Sequence, residues 1–251
     1  IIKTQKELTK LRKIGQIVAA CLDLMLSKVE PGMSTKELDD IGRIFLEKNG
    51  AKSAPIEMYK FPGATCISLN EEAAHGIPSS KKIIHLGDLI NVDVSAVCDG
   101  LYADTGATKG VGNVSESVQK LMKTTKKTLN RAIEKAKAGE NLNIIGRTIE
   151  KEAKRTGYTV IRNLCSHGIG YSLHDKPDRI VSYNDPKERR RLEKNMVITI
   201  EPFLSTGTHY VSDANDGWTL LNDKGHISAQ YEHTMVIQEN KSPLILTELG
   251  V

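Results

Sequence analysis

The sequence predicts an α+β fold in a single domain, and three observations predict it. Helix-patterned and strand-patterned segments run in the order helix, helix, strands, and that order occurs twice. The second pass keeps the spacing of the first: Gly32 to Gly50 and Gly139 to Gly157 each span 18 residues. Between two alternating apolar runs stands Asp99-Gly100, a two-residue hairpin signal that demands antiparallel pairing. Helices on one side of a mostly antiparallel sheet satisfy all three. No low-complexity linker interrupts the 251 residues. One domain, 1–251, is therefore expected, with diverged halves at about 1–108 and 109–251.

Taken in order, Thr4 and Glu7 form a capping-box pattern ahead of Leu8, Leu11, Ile14, Ile17 and Val18, which recur at helical spacing. Ser34 with Glu37 opens a second helix through Leu38, Ile41 and Phe45, ending near Gly50. Strand patterns cover Thr65 to Leu69, Leu89 to Cys98 and Leu101 to Thr105. The second pass has helices over about Ser115 to Lys137 and Asn143 to Thr156, the latter stopping at Gly157. Its strands are Tyr158 to Asn163, Met196 to Phe203 and Tyr231 to Ile237.

Composition narrows the class. Hydrophobic residues at 39% and charged residues at 26% fit a globular protein with its own core. Net charge is only +4, from 35 basic and 31 acidic residues, so no specific nucleic-acid partner is expected. Lysines between Lys120 and Lys137 read as a solvated helix face, with transient ribosome docking as the second reading. No apolar run approaches the roughly 20 residues that span a bilayer, so no membrane partner is expected. The N-terminal stretch reads as an amphipathic helix and not as a secretory signal. Cys21, Cys66, Cys98 and Cys165 are widely spaced, with no CxxC pair. Together these fit a reducing, cytoplasmic compartment with free thiols, and a monomer is expected.

The functional signal lies in acids placed on strands. If Cys98 pairs with Leu101 across the hairpin, Asp93 opposes Gly106 and Asp104 opposes Ser95. Period-two alternation then puts Asp93 and Asp104 on one face as diagonal neighbours, roughly 7–8 Å apart at the backbone. Carboxylates so placed can flank a pair of metal ions about 3.5–4 Å apart. Taken alone, the pattern allows either burial or exposure of both aspartates, since an antiparallel sheet often has a wet face. Glu201 ends the apolar run Val197-Ile198-Thr199-Ile200, Glu232 starts Tyr231 to Ile237, and His167 sits between small residues in Ser166-His167-Gly168. Each alone reads as a surface residue. Four carboxylates meeting in a core would be prohibitive without cations, and with one imidazole they suit divalent ions.

Taken together, these segments resemble the type I methionine aminopeptidases over nearly the whole chain. The resemblance implies that family's pita-bread fold, in which two pseudo-symmetric halves close over a dinuclear centre. It implies two divalent ions, of Co, Mn, Fe or Zn, on Asp93, Asp104, His167, Glu201 and Glu232, with Glu201 also carrying protons. His75, in Asn70-Glu71-Glu72-Ala73-Ala74-His75-Gly76, and His174, in Ser172-Leu173-His174-Asp175, would contact the scissile amide as catalytic and substrate-binding groups. Phe61, Cys66 and Trp218 would line the methionine pocket, and Asn70 and Ser228 would hold a monovalent cation. Leu173, Pro55 and Met58 stand where the family carries other pocket residues, and Cys66 is the thiol expected to meet covalent probes. Only 26 residues separate His174 from Glu201, which matches the short bacterial form. The substrates implied are nascent polypeptide N-termini, chiefly those with a small second residue. A proline-specific dipeptidase of the same fold is the first rival; a pita-bread binding module without catalysis is the second. The intact ligand set argues against the latter.

Overall fold

In the computed structural model, which describes residues 1–249, the helix starts fall where the capping boxes place them. Thr4 accepts from the Glu7 amide at the start of α1 (Gln5–Lys28), and Ser34 does the same for Glu37 at α2 (Thr35–Lys48). The rest of the first half is β1 (Lys52–Ser53), α3 (Ala54–Tyr59), β2 (Cys66–Leu69), β3 (Glu72–Ala74), β4 (Leu89–Cys98) and β5 (Leu101–Gly110). Asp99 and Gly100 turn between β4 and β5 with positive φ of 52° and 79°, the geometry a primed two-residue turn needs. The register that follows is Asp93 opposite Gly106 and Asp104 opposite Ser95.

The second half opens with α4 (Glu116–Lys135) and α5 (Asn143–Thr156), which Gly157 ends in the left-handed region. Then come β6 (Thr159–Val160), β7 (Cys165–Gly168), β8 (Asp175–Val181), β9 (Val197–Ile200) and β10 (Phe203–Ser205). Five short strands finish it: β11 (Ser212–Asp213), β12 (Leu220–Leu221), β13 (Ser228–Gln230), β14 (His233–Val236) and β15 (Leu244–Ile245).

All described ladders are antiparallel. β4 is flanked by β5 and, along its other edge, by β1 and β2; a second sheet runs β15-β14-β9-β7-β8. The two meet where β5 faces the start of β14. Glu232 N–H donates to Gly106 O at 2.9 Å, and Ala107 bridges Tyr231. Helices α1 and α2 cover one sheet through Leu11, Ile14, Val18 and Leu38 against the fully buried Ile90, Val92 and Val94. Helices α4 and α5 cover the other through Leu129, Ile133 and Ile149 against Ile198, Ile200 and Met235. The face of β4 and β5 opposite those apolar residues is the one that carries Asp93 and Asp104.

Four expected strands come out differently. Leu101 to Thr105 runs on to Gly110. Tyr158 to Asn163 contracts to Thr159–Val160. Met196 to Phe203 is two strands, broken at Glu201-Pro202, because proline has no N–H to extend the ladder. Tyr231 to Ile237 starts only at His233, since Glu232 turns its backbone amide to Gly106 instead. The unforeseen α3 is too short for apolar periodicity to register. Among the described residues, no helix is long and apolar enough to cross a membrane.

Helix α1 also receives the C-terminal segment. A Cβ on Gly15 would lie 2.5 Å from Leu246 O and 2.8 Å from Leu246 Cβ, so main chain would have to move. Gly15→Ala is expected to lower stability by about 1–3 kcal/mol. Thermal unfolding checks this, and an unchanged midpoint would mean that the Leu246 segment does not press on α1.

Candidate metal centre

A cavity of about 400 Å³ opens against the acid-bearing face of β4 and β5. Asp93, Asp104, His167, Glu201, His75 and His174 all line it. Glu232 stands behind them, 2% exposed, and one ligand atom each from Asp104, His167 and Glu232 lie within 4.8 Å of one another. His167 Nε2 is 3.6 Å from Glu201 Oε1, and Asp93 and Asp104 line the same cavity. The five residues expected to gather do so, from β4, β5, β7 and the breaks that precede β10 and β14.

The surrounding chain holds each group in place. His167 N–H donates to Thr199 Oγ1 at 3.2 Å, and its ring Nδ1 is 2.8 Å from Gly168 O. A carbonyl only accepts, so Nδ1 carries the proton and Nε2 keeps its lone pair toward the acids. Glu201 N–H donates to Ser166 Oγ at 2.9 Å. Gln230 Nε2 donates to Glu232 Oε2 at 3.1 Å and is steadied by Asn91 Nδ2, which donates to Gln230 Oε1 at 2.8 Å. Thr234 locks the Asp104 main chain, accepting from its N–H at 2.9 Å and donating to its carbonyl at 2.7 Å.

Protein groups alone leave the cluster electrostatically unbalanced. Burial first, then Glu232 and Asp93, pushes the Asp104 carboxyl well above the usual range. Burial and the neighbouring acids do the same to Glu201 and Glu232, and burial raises Asp93 to about 6. Burial takes His167 down to about 3, so its imidazole is neutral and able to ligate. Asp104 Oδ1 and Glu232 Oε1 are buried with no hydrogen-bond partner. Two orphaned acceptors, a free imidazole lone pair and an acceptor-to-acceptor approach of 3.6 Å together fit divalent cations.

The pocket residues also reach the cavity. Phe61 meets Trp218 edge-on at 5.2 Å between centroids, and Cys66 sits across from Asp93 in the ladder. Leu173 and Pro55 line the wall as expected. Met58 does not: it is 40% exposed, and its sulfur accepts from Tyr102 Oη at 3.3 Å. Burial and the nearby Asp93 hold the Cys66 thiol well above its usual range, which keeps it protonated and works against reaction with probes. Tyr59, Asn163, Cys165 and Phe203 line the cavity unannounced by the sequence. A tyrosine in an unforeseen helix gave no motif; Cys165 and Phe203 flank motif residues and were within reach.

A model of metallopeptidase family M24 matches residues 9–239. The chain belongs to metallopeptidase family M24. Within M24 it is similar along its whole length to methionine aminopeptidase 2 of Bacillus subtilis (strain 168), at 46% identity over 99% of this chain and 100% of that one. A solved methionine aminopeptidase from Thermotoga maritima superposes with a TM-score of 0.95 at 35% identity, over 99% of each chain. A prolidase from Pyrococcus furiosus, 24% identical, covers 100% of this chain and 66% of that one with a TM-score of 0.79, which shows a shared fold. The M24 pita-bread fold is thus the fold observed, and the methionine aminopeptidase resemblance read in the sequence is borne out. As an M24 metallopeptidase the chain uses divalent metal.

Proposed function

We propose that this chain removes the initiator methionine from other proteins, chiefly where the second residue is small. The observation that carries this is one cavity in which the acid and imidazole cluster adjoins the apolar wall of Phe61, Leu173 and Trp218. A thioether side chain packs well against aromatic rings and other sulfur, and Cys66 supplies the latter. Full-length similarity to methionine aminopeptidases supports the reading.

Asp93, Asp104, His167, Glu201 and Glu232 would hold two divalent ions (Co, Mn, Fe or Zn), which when bound supply a water acidified toward neutrality. Glu201, at the cavity edge of the cluster, takes a proton from the attacking water and returns it to the leaving amine. His174 donates to the scissile carbonyl oxygen as charge builds there. His75, held at a positive φ of 54°, hydrogen-bonds the scissile amide nitrogen. Burial lowers the pKa of both imidazoles, so both are neutral at working pH.

The remaining assignments follow the same reading. The substrates are nascent polypeptide N-termini, and the enzyme works as a cytoplasmic monomer in two halves, about 1–108 and 109–251, joined at β5 and β14. The lysines of α4 face solvent and would give the ribosome a transient contact. A monovalent ion near Asn70 and Ser228 would rely on main-chain oxygen. The Asn70 amide is already engaged with Asp88 at 2.9 Å and Leu89 N–H at 3.0 Å, while Ser228 Oγ accepts from Asn222 at 3.0 Å.

Peptide release decides the main point. With manganese or cobalt, Met-Ala-Ser is expected to lose methionine while Ala-Pro peptides stay intact; cleavage of Ala-Pro peptides alone would refute the methionine reading. His174→Ala is expected to lower kcat by roughly 10²–10³-fold, as for loss of an oxyanion donor, with metal content unchanged. Parallel loss of metal and turnover would make His174 a ligand instead.

A further inference from the structure

Tyr59 has no role in the reading above, yet its hydroxyl lies 2.6 Å from His174 Nδ1. We propose that Tyr59 is a positioning residue that fixes the tautomer and tilt of His174. The inference rests on the methionine-removal reading for its kinetic consequence, though not for the hydrogen bond itself.

The placement of Tyr59 is built. It is the last residue of α3, which Lys60 leaves in the left-handed conformation at φ 60°. Ser53 anchors the other end of that helix, donating to Ala64 O at 2.8 Å and accepting from Ile56 N–H at 3.4 Å. The Tyr59 ring lines the cavity and lies 5.7 Å from the His174 ring, tilted 50° to it. His174 in turn packs on His167 at 4.2 Å between centroids. The imidazole is thus held between a phenol and the cluster.

Donor chemistry sets the direction. A phenol O–H is a stronger acid than a neutral imidazole N–H, and an imidazole ring nitrogen accepts better than a phenol oxygen. Tyr59 therefore donates and Nδ1 accepts, which leaves the His174 proton on Nε2, at the far edge of the ring. That is the proton a scissile carbonyl would need. Without Tyr59 the ring could place its proton on either nitrogen, and only one tautomer would offer a donor at the Nε2 edge.

Tyr59→Phe removes one oxygen from a residue that is 41% exposed, so folding is not at stake. The full chain, loaded with diamagnetic zinc and labelled with ¹⁵N-histidine, reports the tautomer by NMR, the His174 signal being assigned by its loss in His174→Gln. The proton is expected on Nε2 in the parent and shared between both nitrogens in Tyr59→Phe. On Met-Ala-Ser, kcat is expected to fall about tenfold in the variant, with KM and metal content within about twofold, the loss of one aligned hydrogen bond. Tyr102→Phe, whose hydroxyl meets Met58, should change neither readout. A parent proton on Nδ1, an unchanged kcat in Tyr59→Phe, or a rise in KM alone would overturn the proposal. If the parent cleaves no methionine peptide, the methionine reading fails, and the tautomer measurement still decides the role of Tyr59.

Discussion

Asp104→Asn is expected to abolish turnover, lowering it by about 10³-fold or more, as when a group that acts only with its neighbours is removed. The carboxyl is 7% exposed, and its Oδ1 has no partner within the protein. An asparagine amide in either orientation replaces an anionic acceptor with a neutral one and aims N–H bonds into a space bounded by acceptors. Metal content should fall together with rate, since Asp104 lies within ligand reach of both His167 and Glu232. Folding should not suffer, because Thr234 pins the main chain of residue 104 through two hydrogen bonds that the substitution leaves alone. The metal-free variant should even unfold at a higher temperature than the metal-free parent. One of four mutually repelling buried carboxylates is gone, and an unpaired buried charge is costly. Near-normal turnover, or a metal-free variant less stable than its parent, would contradict this account of the cluster.

What the sequence made legible, and what it hid, follows from the range of the forces involved. The β4–β5 hairpin was readable because Asp99-Gly100 fixes the turn locally and period-two alternation then fixes every facing pair, including the shared face of Asp93 and Asp104. The helices were readable through the Thr4 and Ser34 caps and the glycine stops, each a matter of a few adjacent residues. That Glu201 and Glu232 join Asp93 and Asp104 was not a local property. Convergence had to be inferred from the cost of burying acids without cations, and from the family resemblance. The late start of β14 at Tyr231-Glu232 escaped because tertiary pairing, β5 against the start of β14, decides it; the break at Glu201-Pro202 was within reach, since proline has no N–H to extend a ladder. Tyr59 escaped entirely. Its contact with His174 spans 115 residues, on a six-residue helix that no periodicity marks. The exposed position of Met58 escaped for the same reason, since the face of a one-turn helix cannot be read from two or three apolar residues.

Removing the metals should make stability depend on pH in a direction set by the buried acids. A carboxyl whose folded-state pKa is raised holds its proton longer when folded than when unfolded. It therefore contributes stability at low pH that is lost as pH climbs from the ordinary carboxylate range through the folded pKa. For Asp93 that loss runs from about 4 to about 6; for Asp104, Glu201 and Glu232, which burial also raises, it has the same direction. Buried histidines act oppositely. His167, lowered to about 3 from 6.5, gains stability as pH rises across that interval, and His233, lowered to about 4, does likewise. Acids and imidazoles thus offset each other below the ordinary histidine value of 6.5. Well above it the imidazoles are neutral in both states, and of these groups only the acids still change. The metal-free protein is expected to lose thermal stability as pH rises above the ordinary histidine range. Saturating zinc or manganese should reverse the trend, because divalent ions replace the protons and bind more tightly as those leave. At free metal near a thousand times Kd, each ion adds about 4 kcal/mol. Calorimetry with and without chelator across this range tests the sign directly. Parallel curves would mean that the four carboxylates do not share a cation-dependent site, whatever their proximity.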